Sequence, residues 1–174
     1  MIHPDLRSIV FNLTAQQGGS KTYETFLGLE KKAVLHEEKL RLLGALSHFR
    51  QKNLLKKTLE LSLNPEKVRS QDTVYLIGQV FSSKHGHKLA WKFIKSNWAE
   101  LDRRYGDGGF AITKLIALTG SFSKLSMAKY VEEFFKMHPV PSAARTVQQS
   151  LERIRLNAAW LDRNPFPGVE TTAG

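Results

Sequence analysis

The sequence contains no cysteine. Disulfides, thiolate zinc sites and a cysteine nucleophile are therefore all excluded. A chain without disulfides also suits a reducing compartment, so a cytoplasmic setting is the expectation. No apolar run approaches the roughly 20 residues that a membrane-spanning helix needs, and no membrane partner is expected. Strand-like alternation is nearly absent, which argues against a sheet. Acidic residues are scarce: 16 Asp and Glu stand against 26 Lys and Arg, a net charge of +10. Such an excess points to acidic partners, whether nucleic acid, an anionic membrane or acidic groups on a protein or peptide. What is present is the composition of a globular domain, with 41% hydrophobic and 24% charged residues in a chain of 174. A chain of that size buries roughly 70% of its unfolded surface, which excludes a disordered tail or a fibre. Met1-Ile2-His3-Pro4-Asp5 has neither the basic region nor the apolar core of a secretion leader, and none is expected.

Nearly every segment carries helical period. The first helix starts at about Asp5, with Leu6, Ile9, Val10 and Leu13 on one stripe, and ends at Gly18-Gly19. Ser20 is placed as the cap of the second, which carries Tyr23, Phe26 and Leu27. A third covers about Leu35 to His48, with Leu42, Leu43 and Leu46 inward, and a fourth runs from about Asn53 to Leu63 before Asn64-Pro65. Ser70 is placed as the cap of the fifth, with Asp72 in its first turn and Val74, Ile77, Val80 and Phe81 inward. The sixth spans about His87 to Tyr105. Ala90, Phe93, Ile94, Trp98 and Leu101 share its apolar face, with Trp91 at the border and Lys88, Lys92 and Lys95 on the other side. Gly106-Asp107-Gly108-Gly109 ends it, a seventh carries Ile112, Leu115, Ile116 and Leu118, and an eighth runs from about Ser126 to His138. Ser142 is placed as the cap of a final helix reaching about Asn164. A helix pair thus recurs roughly every 31 to 39 residues, the period of stacked helical hairpins. The expected fold is all-α, an α-α superhelix (a HEAT/armadillo-like solenoid) of about nine helices. It is expected to form one domain over residues 1–164, with 165–174 as an irregular tail.

Motifs that would carry chemistry start and then fail. His36-Glu37-Glu38-Lys39-Leu40 opens like a zinc-protease helix, but Leu40 stands where the second histidine is needed. His85-Gly86-His87 could offer two nitrogens to a metal, with no Cys, Asp or Glu nearby to complete the site. The glycine run at 106–109 lacks the strand before it and the Gly-Lys-Ser/Thr ending of a phosphate loop. Neither a catalytic residue nor a metal site is assigned. The Lys88, Lys92 and Lys95 face is cationic, and the nearby aromatic residues do not form a platform on which bases stack, so a nucleic-acid partner is not favoured. On the final helix Ala144, Val147, Leu151, Ile154, Ala158 and Leu161 form one apolar seam, with Leu156 and Trp160 almost opposite. Either neighbouring helices sandwich this helix or the second patch docks something else.

Several phrases occur in a telling order: Asp5-Leu6-Arg7-Ser8 before Val10; Glu38-Lys39-Leu40-Arg41 through Ala45-Leu46; Val68-Arg69-Ser70-Gln71-Asp72-Thr73. Then come Lys84-His85-Gly86, Ala90-Trp91-Lys92-Phe93-Ile94-Lys95 with Asn97-Trp98, Phe134-Phe135 with His138-Pro139, and Arg145-Thr146-Val147-Gln148-Gln149 through Glu152, Ile154, Asn157 and Trp160-Leu161. From about Pro4 to Asn164 the series resembles the C-terminal helical domain of the puromycin-sensitive-type zinc aminopeptidases, the gluzincin aminopeptidase N family.

The resemblance implies a portion of a larger hydrolase that is not an enzyme by itself. The zinc-binding helix and the Gly-x-Met-Glu-Asn segment of that family belong to its catalytic domain and do not occur here. The cofactor expectation is accordingly none in this chain and zinc in the parent enzyme. The implied role is to wall the substrate cavity and dock on the catalytic domain, with that domain and the peptide substrate as partners. A peptide held by its amino end projects its carboxylate toward this domain, and Lys88, Lys92, Lys95 and Arg145 are the candidates to meet it. Leu156 and Trp160 are the interdomain docking candidates. Arg69, Asp72 and Asn157 match family phrases too, and suit turn ion pairs and a helix-to-helix hydrogen bond as well as a peptide contact. The alternative reading is a free-standing basic helical-repeat adaptor for an acidic protein or nucleic acid.

Overall fold

The computed structural model describes residues 3–107 and 109–164, and these are all-α, with no strand among the described residues. Ten α-helices follow in order: α1 Pro4–Gln17, α2 Ser20–Lys32, α3 His36–Ala45, α4 Lys52–Ser62, α5 Ser70–Ser82, α6 His87–Ser96, α7 Trp98–Tyr105, α8 Phe110–Leu118, α9 Leu125–Met137 and α10 Ala144–Arg163. Three 3-10 turns, Leu46–His48, Thr119–Ser121 and Pro141–Ala143, join them. None of these helices is long and apolar enough to cross a membrane. The expected tail at 165–174 lies outside the described residues.

The count exceeds the expected nine because the long sixth helix is two. Asn97 adopts φ −114° and ψ 17°, outside the helical region, and separates α6 from α7. Trp91, placed at the border of its helix face, is core at 6% exposure, whereas Phe93 is only half-buried. The three serine caps are also corrected. Ser20 and Ser70 are the first helical residues, behind Gly19 and Arg69. Ser142 sits in the 3-10 turn that Pro141 starts, and its hydroxyl donates to the Gly106 carbonyl at 3.1 Å. Proline's fixed φ begins the turn without a side-chain cap.

The packing forms two units, meeting in sequence at Phe93 and Ile94 inside α6. In the first, α2 packs on α3 and α4 on α5, while α1 stacks on α3 and α3 on α5. This next-but-one stacking is the element from which helical superhelices are built. Its core centres on Phe49, fully buried, whose ring meets Tyr23 at 5.3 Å and Phe26 at 6.2 Å, both edge-on. Thr58 has one hydroxyl proton, which the Leu54 carbonyl accepts at 3.0 Å, so the buried Tyr23 hydroxyl donates to Thr58 Oγ1, also at 3.0 Å. Burial raises the Tyr23 pKa accordingly.

The α1 stripe is present but points the other way from the core. Phe11 and Ala15 pack inward, while Leu6, Ile9 and Leu13 are all more than half exposed.

In the second unit α7 packs on α8, and α10 packs on both α8 and α9. Trp98 meets Phe134 and Phe135 edge-on at 5.4 and 5.3 Å. The Asn157 amide donates to the Gly120 and Phe122 carbonyls, each at 3.0 Å, and so ties α10 to the 3-10 turn after α8. The expected helix-to-helix bond is therefore a side chain closing on a turn. Gly109 has φ +145°, a conformation that glycine adopts without strain. Glu100 accepts hydrogen bonds from Arg103 and Arg104, which pull its carboxyl down to about 2.

Candidate functional site

Within the first unit, a break in the helical pattern builds a cleft. The chain leaves α3 through the Leu46–His48 turn, and the buried Phe49 ring anchors it to the core. Ser47 Oγ donates to the Gly44 carbonyl at 2.7 Å, and Gln51 Nε2 donates to the Gly18 carbonyl at 2.9 Å. The pinned stretch leaves His48 and Arg50, on either side of Phe49, lining a cleft of about 620 Å³. Its other wall comes from the end of α5 and the turn that follows, with Gln79, Lys84 and His85.

Gly86 holds that turn. Its N–H donates to the Ser83 carbonyl at 3.1 Å, and a Cβ there would lie 2.3 Å from the Val80 carbonyl oxygen. Only glycine lets the chain pass so close. The His85-Gly86-His87 phrase is thus explained by packing. His85 reaches the cleft, whereas His87 lies against the Phe81 ring at 4.5 Å, where burial lowers its pKa.

The chemistry of the cleft is one-sided. Among the described residues none lining it is acidic, while Arg50 and Lys84 bring positive charge and His48 and His85 bring imidazole rings. None of these four makes an ion pair or side-chain hydrogen bond within the described residues. The His48 ring is half-buried, and burial lowers its pKa from the ordinary 6.5. A second hollow of about 310 Å³ shares His48 and Gln79, with Tyr75, Asn12, Arg41 and Glu37 around it. There the charges are already matched: Arg41 holds Glu37 and Glu38, and Arg7 lies 3.3 Å from Glu38. The cleft is therefore an unneutralised cationic recess beside neutralised ground, suited to an anionic ligand.

The abortive zinc-protease phrase is occupied by the same ion pairs. His36 Nε2 lies 3.3 Å from Asp72 Oδ2, and Glu37 and Glu38 serve Arg41. Asp72 is thereby a helix-start carboxylate with a partner on α3. Among the described residues no three of His, Asp and Glu are grouped to hold a metal ion.

Of the residues singled out from sequence, Lys88, Lys92 and Lys95 are exposed along α6, and Arg145 is exposed in the first turn of α10. Neither Lys88 nor Lys92 lines the cationic cleft. Leu156 and Trp160 are 67% and 49% exposed, so α10 is not sandwiched at that patch. Sequence reasoning missed His48, Arg50 and Lys84 because all three stand in turns, where periodicity gives no face. The signal available was a basic residue on each side of a buried aromatic at a helix break.

The family model described as ERAP1-like C-terminal domain matches residues 1–156. Aminopeptidase M1 of Arabidopsis thaliana is 34% identical over 166 residues, covering 93% of this chain and 18% of that protein. Aminopeptidase M1-A of Oryza sativa subsp. japonica is 32% identical over the same coverage. Human aminopeptidase N is 32% identical over 167 residues, 94% of this chain and 17% of its own length. The chain thus spans less than a fifth of the curated relatives it matches.

Proposed function

The chain belongs to the ERAP1-like C-terminal domain family, and from that premise we propose that it acts as a non-catalytic helical domain of an aminopeptidase N-type enzyme. In this reading it walls the substrate cavity and docks on the catalytic domain, with both packing units working as one domain. The observation that carries the proposal is the cleft of His48, Arg50, Lys84 and His85, cationic and unneutralised. A peptide held elsewhere by its amino end presents a carboxylate and acidic side chains, and a partly enclosed cationic recess attracts both. Lys88, Lys92, Lys95 and Arg145 are exposed cations offered separately to the peptide carboxylate, and the exposed Leu156 and Trp160 would face the catalytic domain.

Zinc in this proposal belongs to the catalytic domain of the parent enzyme. The residues described here do not fit a metal site, and no step of the chemistry runs through them. A cytoplasmic setting accords with the absence of cysteine.

Co-expression with a catalytic portion from a relative tests the proposal. Association and restored peptide trimming are expected. Failure to associate, together with tight RNA binding that collapses with added salt, would favour the free-standing adaptor instead.

A further inference from the structure

Between Asp72 and Glu100 the chain carries no acidic residue, the longest such stretch in the sequence. Both bounding carboxylates already have partners: His36 Nε2 lies 3.3 Å from Asp72 Oδ2, and Arg103 and Arg104 donate to Glu100. Within the stretch Lys84, Lys88 and Lys92 stand at intervals of four, all exposed and all in the first unit. None of the three has an ion-pair partner among the described residues.

The interval is helical even before α6 begins. His87 N–H donates to the Ser83 carbonyl at 3.1 Å, and Ala90 N–H to the Gly86 carbonyl at 2.7 Å, each reaching back four residues. Lys84 therefore stands one turn ahead of Lys88, and Lys88 one turn ahead of Lys92. Each step advances about 6 Å along the axis on the same side of the chain. Lys84 lines the cationic cleft, whereas Lys88 and Lys92 lie outside it. A row of cations thus leads out of the cleft.

The spacing and the surroundings of the row select its occupant. Trp91, the aromatic residue between Lys88 and Lys92, is core at 6% exposure, so no ring stands beside the lysines for bases to stack on. A short acidic peptide is not helical in water and reaches the row extended. In an extended chain every second side chain falls on one face, about 6.6 Å apart, close to the lysine interval. Acidic residues placed side by side would instead point to opposite faces.

We propose that Lys88 and Lys92 continue the cleft as a subsite for peptides with acidic residues at alternate positions running back from the carboxyl terminus. The terminal carboxylate would lie at Arg50 and Lys84, and the alternate side chains along α6. That role rests on the reading of the chain as a peptide-facing domain of an aminopeptidase N-type enzyme.

The test measures, by calorimetry on this chain, two peptides of identical composition and free carboxyl terminus. One carries glutamate at alternate positions ahead of its last residue, and the other carries the same glutamates in one block. The alternating peptide is expected to bind about threefold to tenfold more tightly, the range that two exposed ion pairs supply. Combining Lys88→Gln with Lys92→Gln should bring it down to the level of the blocked peptide. Both positions are exposed and glutamine is a good helix former, so circular dichroism should report an unchanged fold. Equal affinity for the two peptides, or an advantage that survives the double variant, would overturn the subsite. If the free acids still bind more tightly than their amides, the cleft and the domain reading stand without it. Single-stranded RNA held more tightly than the alternating peptide, and released by the double variant, would also overturn it by making a nucleic acid the occupant.

Discussion

Gly44 lies directly beneath the hydroxyl of Tyr75: a Cβ at position 44 would stand 2.9 Å from Tyr75 Oη. The glycine lets a side chain from α5 rest on α3 at the edge of the hollow that His48 shares. Gly44→Ala should gain helix propensity, up to about 1 kcal/mol, because only the far end of a half-exposed side chain must move. The expected result is unchanged or raised thermal stability with a reshaped hollow. Thermal melting and the quenching of tyrosine fluorescence check the two halves separately.

Gly86→Ala should behave in the opposite way. Its Cβ would meet the Val80 carbonyl at 2.3 Å and Ser83 Oγ at 2.6 Å, and a backbone oxygen cannot swing aside. A loss of about 1–3 kcal/mol is expected from chemical denaturation. Lys84 and His85 should shift with the turn, weakening any ligand of the cleft.

Burial lowers the His48 pKa, so the folded protein resists protonation there more than the unfolded chain does. Below pH 6.5 the unfolded chain therefore binds more protons, and stability falls as pH falls through that window. An anion in the cleft reverses the sign for binding, because it favours the imidazolium. Affinity for an acidic peptide should rise from pH 7 to pH 5.5, against the constant charges of Arg50 and Lys84. In His48→Gln the pH dependence should flatten, as measured by calorimetry at several pH values.

Asn157→Asp should cost about 2 kcal/mol at pH 7. The substitution replaces an amide that donates to two carbonyls with a carboxylate that faces both of them. Part of the loss should return in mild acid, where the protonated carboxyl can donate once. Urea melts at pH 7 and pH 4 give the comparison.

Helix positions were legible in the sequence wherever breakers stood at both ends, as with Gly18-Gly19 and Asn64-Pro65. They were less so at Asn97, where no breaker marks the change from α6 to α7. Periodicity identified the stripe of Leu6, Ile9 and Leu13 but not its direction, because α1 has two apolar faces and Phe11 and Ala15 form the inward one. The family phrases point to the same relatives as the comparisons. The cleft was illegible for a different reason. Arg50, Lys84 and His85 meet only after Phe49 has anchored one turn and Gly86 has tightened another.

The most direct measurement compares two forms of one short acidic peptide, with a free carboxyl terminus and with an amide, for binding to this chain by calorimetry. Combining Arg50→Ala with Lys84→Ala provides the reference protein. The cleft account predicts tighter binding of the free acid and a loss of about tenfold or more in the double variant. Equal affinity for acid and amide, undisturbed by removing Arg50 and Lys84, would contradict it.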